Sequence, residues 1–397
     1  MSTRSIAVNE ASPPSACTSR RRSGRIRVLH VIQNLNYGGM ERLLADIVRR
    51  MDPQRFEPHV LALQFLGRFS EGLGDVATLH VAGPMTRLSM LRPASLSKRI
   101  AAIAPGAVHT HSGVWYKASL AARMAGVPKI IHTEHGRAKP DPLKSRIVDS
   151  LAAGRTDVVV AVSDQLGEQL IASRIAPARR VRVVRNGVDI DAFRPRADDG
   201  ALRRALDIPL EAPVLGSIGR LEPIKGYDVM IEAMRCAVNQ LNDGPAPVLV
   251  IAGEGSERPR LEQLIDEYSL RPHVRMLGWR DDAHALHAMF TLFTMSSHSE
   301  GTSVSLLEAM SAGLCPIVTD VGGNRAVLRD RLTHRMVTPA NPTALAAAWL
   351  DALQQPERLR DDGLVARGQV ASAFDLGSMV RAYEHLYEER AVQHLRV

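Results

Sequence analysis

Short apolar runs and amphipathic stretches alternate along the chain. The first run, RIRVLHVIQNL at 25–35, is rich in β-branched residues. It leads through Gly38 and Gly39 into a segment where Met40, Leu43, Leu44, Ile47 and Val48 recur at helical spacing. That reads as strand, glycine turn, helix. Strand-like runs continue at 59–64, 106–113, 129–136, 157–164 and 181–189, with helices predicted at about 115–125, 143–153 and 164–174. Such alternation predicts a parallel sheet covered on both faces.

The segment DAFRPRADDGALRRALDIPLEAP at 191–213 breaks the pattern with proline and charge and reads as a linker joined to a short helix. A second series follows. Its strands fall at 213–221, 247–255, 274–279, 290–297 and 315–323, and its helices at about 226–241, 257–269, 281–288 and 303–313, with further helices to the end. The expected architecture is α/β, two tandem Rossmann-like, doubly wound domains facing a cleft. The expected boundaries are a basic disordered leader at 1–24, an N-terminal domain at 25–192, a linker at 193–212, a C-terminal domain at 213–372 and a closing helix at 373–397. Sheets of this kind take ligands beyond the carboxyl ends of their strands, and a cleft between two of them is a default ligand site.

Composition narrows the classes. Of 397 residues, 45% are apolar and 23% charged, which suits a globular protein and excludes collagen-like or disordered chains. The longest apolar runs have strand length, short of the roughly 18 residues of a membrane span. No apolar stretch follows the first arginines, so the N-terminus does not read as a signal peptide. Cys17, Cys236 and Cys315 lie far apart with no CxxC pair, which argues against a disulfide scaffold and a cysteine-based zinc site and suits a reducing cytoplasm. The net charge is +8, and residues 1–27 carry six arginines against Glu10. A solvated tail and contact with anionic lipid both fit. With 4% aromatic residues and no stacking side chains within the basic stretches, nucleic acid is not an expected partner.

Two constellations carry chemistry. In SHSEGTSVSLLEAMSAG, Glu300 and Glu308 are separated by seven residues, the first before a predicted helix and the second in its second turn. Gly301, Thr302, Ser303 and Val304 lie at the helix start, where free backbone N–H groups and the helix dipole favour an anion. A carboxylate on either side of a phosphate site suits a ligand with phosphate in the middle and hydroxyls at both ends, as in a nucleotide sugar. The plainer reading is a capped helix with an exposed Glu308. In GRLEPIKG, Arg220 and Lys225 flank the turn after a strand, a cation pair suited to phosphate oxygens.

Taken together, GGMER (38–42), HTEHG (132–136), VSD (162–164), NGVD (186–189), GRLEPIKG, AGEG (252–255), LGW (277–279) and EGTSVSLLEAMSAG (300–313) resemble the retaining glycosyltransferases of family four, which have the GT-B fold. The likeness spans about residues 25–390. It is most specific in the C-terminal half and most similar to transferases of bacterial exopolysaccharide synthesis. It implies a nucleotide diphosphate sugar as donor, a glycan or lipid-linked acceptor, no metal and no other cofactor. By the same likeness, Arg220 and Lys225 hold the donor diphosphate, Glu308 takes the ribose hydroxyls and Glu300 faces the donor sugar. The amides from Thr302 to Val304 add phosphate contacts, Gly38 and Gly39 bring the first loop close, the loop near Gly278 contributes to the base and sugar contacts, and His135 lies near the sugar and acceptor.

The remaining candidates are weaker. His109, His111, His132 and His135 cluster in sequence, but no HExxH or comparable spacing appears. Ser163 lacks a GxSxG elbow and reads as structural or acceptor-side, and Cys315 reads as a small buried filler. Arg137, Lys139, Lys144 and Arg146 follow His135. They fit either a solvated loop or peripheral contact with anionic lipid at the inner face of the plasma membrane. Two rivals share the fold: an epimerase-like or phosphorylase-like enzyme of sugar nucleotides, and a non-catalytic nucleotide-sugar binder. Pyridoxal phosphate would require a spare lysine, and none follows Lys225. A binder would be expected to have lost Arg220, Lys225, Glu300 or Glu308.

Overall fold

The computed structural model describes residues 24–36, 38–83, 93–136, 142–240 and 244–389. The expected leader therefore lies outside the described residues, except Gly24. Among the described residues, thirteen strands form two wholly parallel sheets. The first contains β1 (Ile26–Ile32), β2 (Phe56–Ala62), β3 (Thr78–Val81), β4 (Ala107–His111), β5 (Lys129–Glu134), β6 (Val158–Ala161) and β7 (Val181–Val183), in the order β3-β2-β1-β4-β5-β6-β7. The second contains β8 (Val214–Ile218), β9 (Val248–Ala252), β10 (Val274–Gly278), β11 (Leu292–Met295), β12 (Pro316–Thr319) and β13 (Met336–Val337), in the order β10-β9-β8-β11-β12-β13.

Helices fill the crossovers. In the first half they are α1 (Gly39–Arg50), α2 (Ala94–Ile103), α3 (Trp115–Met124), α4 (Leu143–Ala153) and α5 (Asp164–Ala172). Then come α6 (Ala201–Ala205), α7 (Tyr227–Gln240), α8 (Arg258–Glu267), α9 (Ala283–Met289), α10 (Val304–Ser311), α11 (Asn324–Val327), α12 (Pro342–Gln354), α13 (Pro356–Ala373) and α14 (Leu376–Glu388). Central strands such as β4, β5, β6 and β9 are buried at every position. Cover on both faces explains the continuous apolar runs of β6 and β9.

Strand order reverses between β1 and β4 in one sheet and between β8 and β11 in the other. These are the switch points at which crossovers leave a crevice. The loops after β1, β5, β8 and β11 therefore hold the conspicuous motifs. Residues 193–212 do not hang free between the domains. Phe193, Ile208 and Ala212 are buried in the C-terminal core beside Phe290 and Phe293. The chain then closes on itself. Asp375 caps α14 by accepting from the Ser378 N–H at 2.7 Å. Leu376, Met379, Val380, Tyr383, Leu386 and Tyr387 bury themselves in the N-terminal core with Val28, Leu43 and Phe56.

Candidate functional site

On the C-terminal side the site starts at the exits of β8 and β11. Gly226 is left-handed (φ 61), and a β-carbon there would strike the Ser296 carbonyl. This glycine lets the Arg220–Lys225 turn lie against the β11 loop. Lys225 Nζ then reaches Glu300 Oε1 at 2.6 Å, and Ser297 Oγ donates to the same oxygen at 2.7 Å. The Ser303 hydroxyl caps α10, accepting from the Leu306 N–H at 3.4 Å. The first N–H groups of α10 have no partner within the helix and open on the same space as Lys225 and Arg220.

Glu308, on α10, is only 3% exposed. The plainer expectation of an exposed helix-surface glutamate is thus corrected. Burial pushes its pKa up to about 7, and the opposing pull of Arg42 does not offset that loss of hydration. Arg42 Nε lies 3.2 Å from Oε1, but its N–H is not aligned to donate, and Oε1 has no hydrogen bond. Glu308 therefore lines the cleft as a buried carboxylate with one oxygen that accepts no hydrogen bond. Arg42 comes from α1 in the opposite domain, and its guanidinium lies over the Phe193 ring at 5.1 Å from the centroid.

The N-terminal side meets this surface closely. A β-carbon at Gly39 would sit 3.3 Å from Val304 Cγ2, so the starts of α1 and α10 nearly touch across the cleft. Gly301 packs so tightly on the His135 carbonyl that any side chain there would collide with it. Thr302 Oγ1 donates to the Val162 carbonyl at 3.0 Å, and Asn186 Nδ2 donates to the Thr302 carbonyl at 2.9 Å. Behind His135 is a buried layer of histidines. His30, His109 and His111 bring ring nitrogens within 4.8 Å of one another, the geometric minimum for a metal site. His109, however, has both nitrogens engaged at 2.7 Å, by the Tyr387 hydroxyl and by Thr133 Oγ1. As it stands the cluster is a hydrogen-bonded layer.

These surfaces enclose a cavity of about 260 Å³. Gly38, Gly39, His135, Arg220, Lys225, Glu300, Gly301, Thr302, Ser303, Val304 and Glu308 all line it. Gly278 does not. It sits at the end of β10 with φ +72, and a β-carbon would come within 2.8 Å of Glu254 Oε1. Its left-handed turn instead delivers Trp279 and Arg280 to the wall. Sequence reasoning also passed over Arg42, Phe69 and Asn186. Arg42 and Asn186 stand inside GGMER and NGVD, but their reach across the cleft is a tertiary fact with no local signature. Ser163 caps α5, accepting from Leu166 N at 3.2 Å. It also lines a second cavity of about 220 Å³ with Gln165, Gln169 and His298, which shares Glu300 and Gly301 with the first. Cys315 is buried, its thiol pushed up to about 12 by burial, as suits an inert filler. Arg137 and Lys139 lie outside the described residues.

Residues 37–192 match the family described as Glycosyltransferase Family 4, and residues 198–363 match Glycosyl transferases group 1. A D-inositol 3-phosphate glycosyltransferase of Geodermatophilus obscurus is 30% identical over 391 residues, covering 89% of this chain and 86% of that protein. The UDP-Gal:α-D-GlcNAc-diphosphoundecaprenol α-1,3-galactosyltransferase of Escherichia coli is 25% identical over 388 residues, covering 93% of this chain and 98% of that protein. Among solved structures, Anabaena HepE in complex with UDP-glucose superposes with a TM-score of 0.80 at 21% identity, over 91% of this chain and 99% of that one. That last likeness is one of fold.

Proposed function

The chain belongs to glycosyltransferase family 4, and from that premise we propose that it moves a sugar, with retained anomeric configuration, from a nucleoside diphosphate sugar to an acceptor hydroxyl in cell-surface glycan or exopolysaccharide synthesis. The observation that carries this reading is the charge layout of the main cavity. Lys225, Arg220 and the start of α10 line it together with two carboxylates, Glu300, which Lys225 holds, and Glu308. A diphosphate fits the cations and the helix start, ribose hydroxyls fit Glu308, and sugar hydroxyls fit Glu300.

In this mechanism the C–O bond to the donor phosphate breaks as negative charge builds on the leaving diphosphate. Arg220, Lys225 and the first N–H groups of α10 stabilise that charge from fixed positions, the kind of preorganised electrostatics that commonly lowers a barrier most. The acceptor hydroxyl attacks the same face and passes its proton to the departing oxygen. Glu300 is held by Lys225 and Ser297, which suits a carboxylate that orients the sugar. A covalent glycosyl–Glu300 route is the competing chemistry. Neither route uses a metal or other cofactor.

A lipid-linked acceptor is our choice because the Escherichia coli relative is named for a diphosphoundecaprenol-linked sugar. No described helix is long and apolar enough to cross a membrane, so contact with such a lipid would be peripheral. The surface offered for it is α4. Leu143, Ile147 and Leu151 follow one another at four-residue spacing and are 66%, 55% and 49% exposed. Exposed Lys144 stands beside them, and the neighbouring stretch 171–182 carries Arg174, Arg179, Arg180 and Arg182 with no acidic residue. An apolar stripe flanked by cations matches an anionic bilayer surface.

The reaction is tested by incubating the protein with UDP, GDP and ADP sugars and a polyprenyl diphosphate-linked sugar. The product linkage is then read by NMR. Formation of an α-linked product from an α-linked donor supports the reading; hydrolysis alone, epimerised donor or no turnover with any pair contradicts it.

A further inference from the structure

His30, His111 and His135 form a line from the interior of the first sheet to the cavity. His30 Nδ1 lies 3.4 Å from His111 Nε2, and His111 Nδ1 lies 3.3 Å from His135 Nε2. The rings are close to parallel at both contacts, with interplanar angles of 19° and 26°. Burial lowers the pKa of all three, His30 to about 3 and His135 to about 4. At neutral pH each ring therefore carries a single N–H.

One proton per ring couples the tautomers. Each contact needs one donor and one acceptor, so the line has two consistent arrangements. In the first, every Nδ1 is protonated. His30 donates to His111, His111 donates to His135, and the remaining His135 N–H is Nδ1–H. In the second, every Nε2 is protonated and the donation runs the other way. The second leaves His30 Nε2–H in the interior, where that atom has no hydrogen-bond partner. His109, the ring beside it, offers no acceptor, because Tyr387 and Thr133 occupy both its nitrogens. An orphaned buried N–H is rarer in folded proteins than an acceptor with an unused lone pair. Burial keeps His135 neutral; of its other titratable neighbours Glu134 raises the pKa and His132 lowers it, and neither outweighs burial.

We propose that His30 and His111 are positioning residues that hold His135 in its Nδ1–H tautomer, so that the cavity receives a neutral hydrogen-bond donor aimed at a ligand oxygen. This goes beyond the glycosyl-transfer reading and does not depend on it: the tautomer is readable whether or not transfer occurs, and its failure would leave transfer standing. A neutral donor would favour a sugar hydroxyl or ring oxygen, while leaving the cationic task to Arg220 and Lys225.

The test is a two-bond ¹H–¹⁵N correlation spectrum of the full chain labelled with ¹⁵N-histidine at neutral pH, with His135 assigned by the resonance lost in His135→Asn. The expected pattern for His135 is a protonated Nδ1 and a bare Nε2. In His111→Phe, which keeps the ring volume but removes both nitrogens, His135 should shift towards the Nε2–H form preferred by free imidazole. A wild-type His135 that is Nε2–H or doubly protonated would overturn the proposal, as would stoichiometric zinc in the purified protein bound by these rings. An unchanged His135 in folded His111→Phe would overturn the positioning role. If that variant does not fold, the wild-type spectrum still decides the tautomer, and His30→Phe supplies the second arm.

Discussion

Glu308 is a buried carboxylate with one oxygen lacking a hydrogen bond, and it should betray itself in the pH dependence of stability. Its pKa rises from an ordinary 4.5 to about 7 on folding, mainly through burial. The native state therefore holds a proton more tightly than the unfolded chain. The stability this contributes is fully present below about pH 4.5 and is lost as pH rises through about 7. Urea denaturation of ligand-free protein should show stability falling across that window, and Glu308→Gln should flatten the fall. An identical pH profile in the variant would contradict it. Arg42 opposes the shift, so Arg42→Ala should move the window to higher pH. Arg220→Ala should lower turnover while leaving the urea midpoint nearly unchanged, and Lys225→Ala, which strips Glu300 of its ion-pair partner, should lower turnover far more than it lowers stability. A variant that unfolds at room temperature while its folded fraction keeps full activity would remove that residue from the diphosphate.

At the scale of elements, α14 is the strap that joins the two ends of the chain. Leu386 is buried in the N-terminal core among Val28, Phe56 and Tyr383. Leu386→Ala should cost about 2–5 kcal/mol without changing nucleotide affinity in the folded protein, a separation that denaturation and calorimetry read independently. A loss of affinity equal to the loss of stability would tie α14 to the site directly. The elements that sequence reading missed differ physically from those it found. Strands such as VVVAV and VLVIA are buried on both faces, so their composition announces them. By contrast, β3 is a four-residue edge strand with two exposed positions, and β13 has only two residues. Neither has room for a pattern. Arg220, Lys225, Glu300 and Glu308 stood out because short loops and one helix set their spacing. Arg42 and the His30–His111 contact arise between strands and domains distant in sequence. The burial that raises the Glu308 pKa is likewise a product of tertiary packing, and no local pattern encodes it.

For the whole molecule, the two sheets point their strand ends at one cleft, and the donor-binding roles depend on that arrangement. The lipid-facing role of α4 has its own test. With residues 1–24 deleted from both proteins, the chain should float with anionic vesicles at low salt and less so at high salt, because surface attraction is screened. Each cation near the surface adds about 1 kcal/mol. The variant Leu143→Ser, Ile147→Ser, Leu151→Ser should stay at the bottom of the gradient; equal recovery of both would remove α4 as the membrane surface.

The central claim is that one nucleoside diphosphate occupies the cleft, with its ribose on Glu308 and its diphosphate on Arg220 and Lys225. Isothermal titration of UDP, GDP and ADP into the wild-type chain and into Glu308→Ala tests it most directly. The account predicts saturable one-to-one binding of at least one of the three. It also predicts that Glu308→Ala weakens that binding roughly 10- to 150-fold, the loss expected for charged hydrogen bonds worth about 1.5–3 kcal/mol. No binding of any of them, or the same dissociation constant in both proteins, would contradict it.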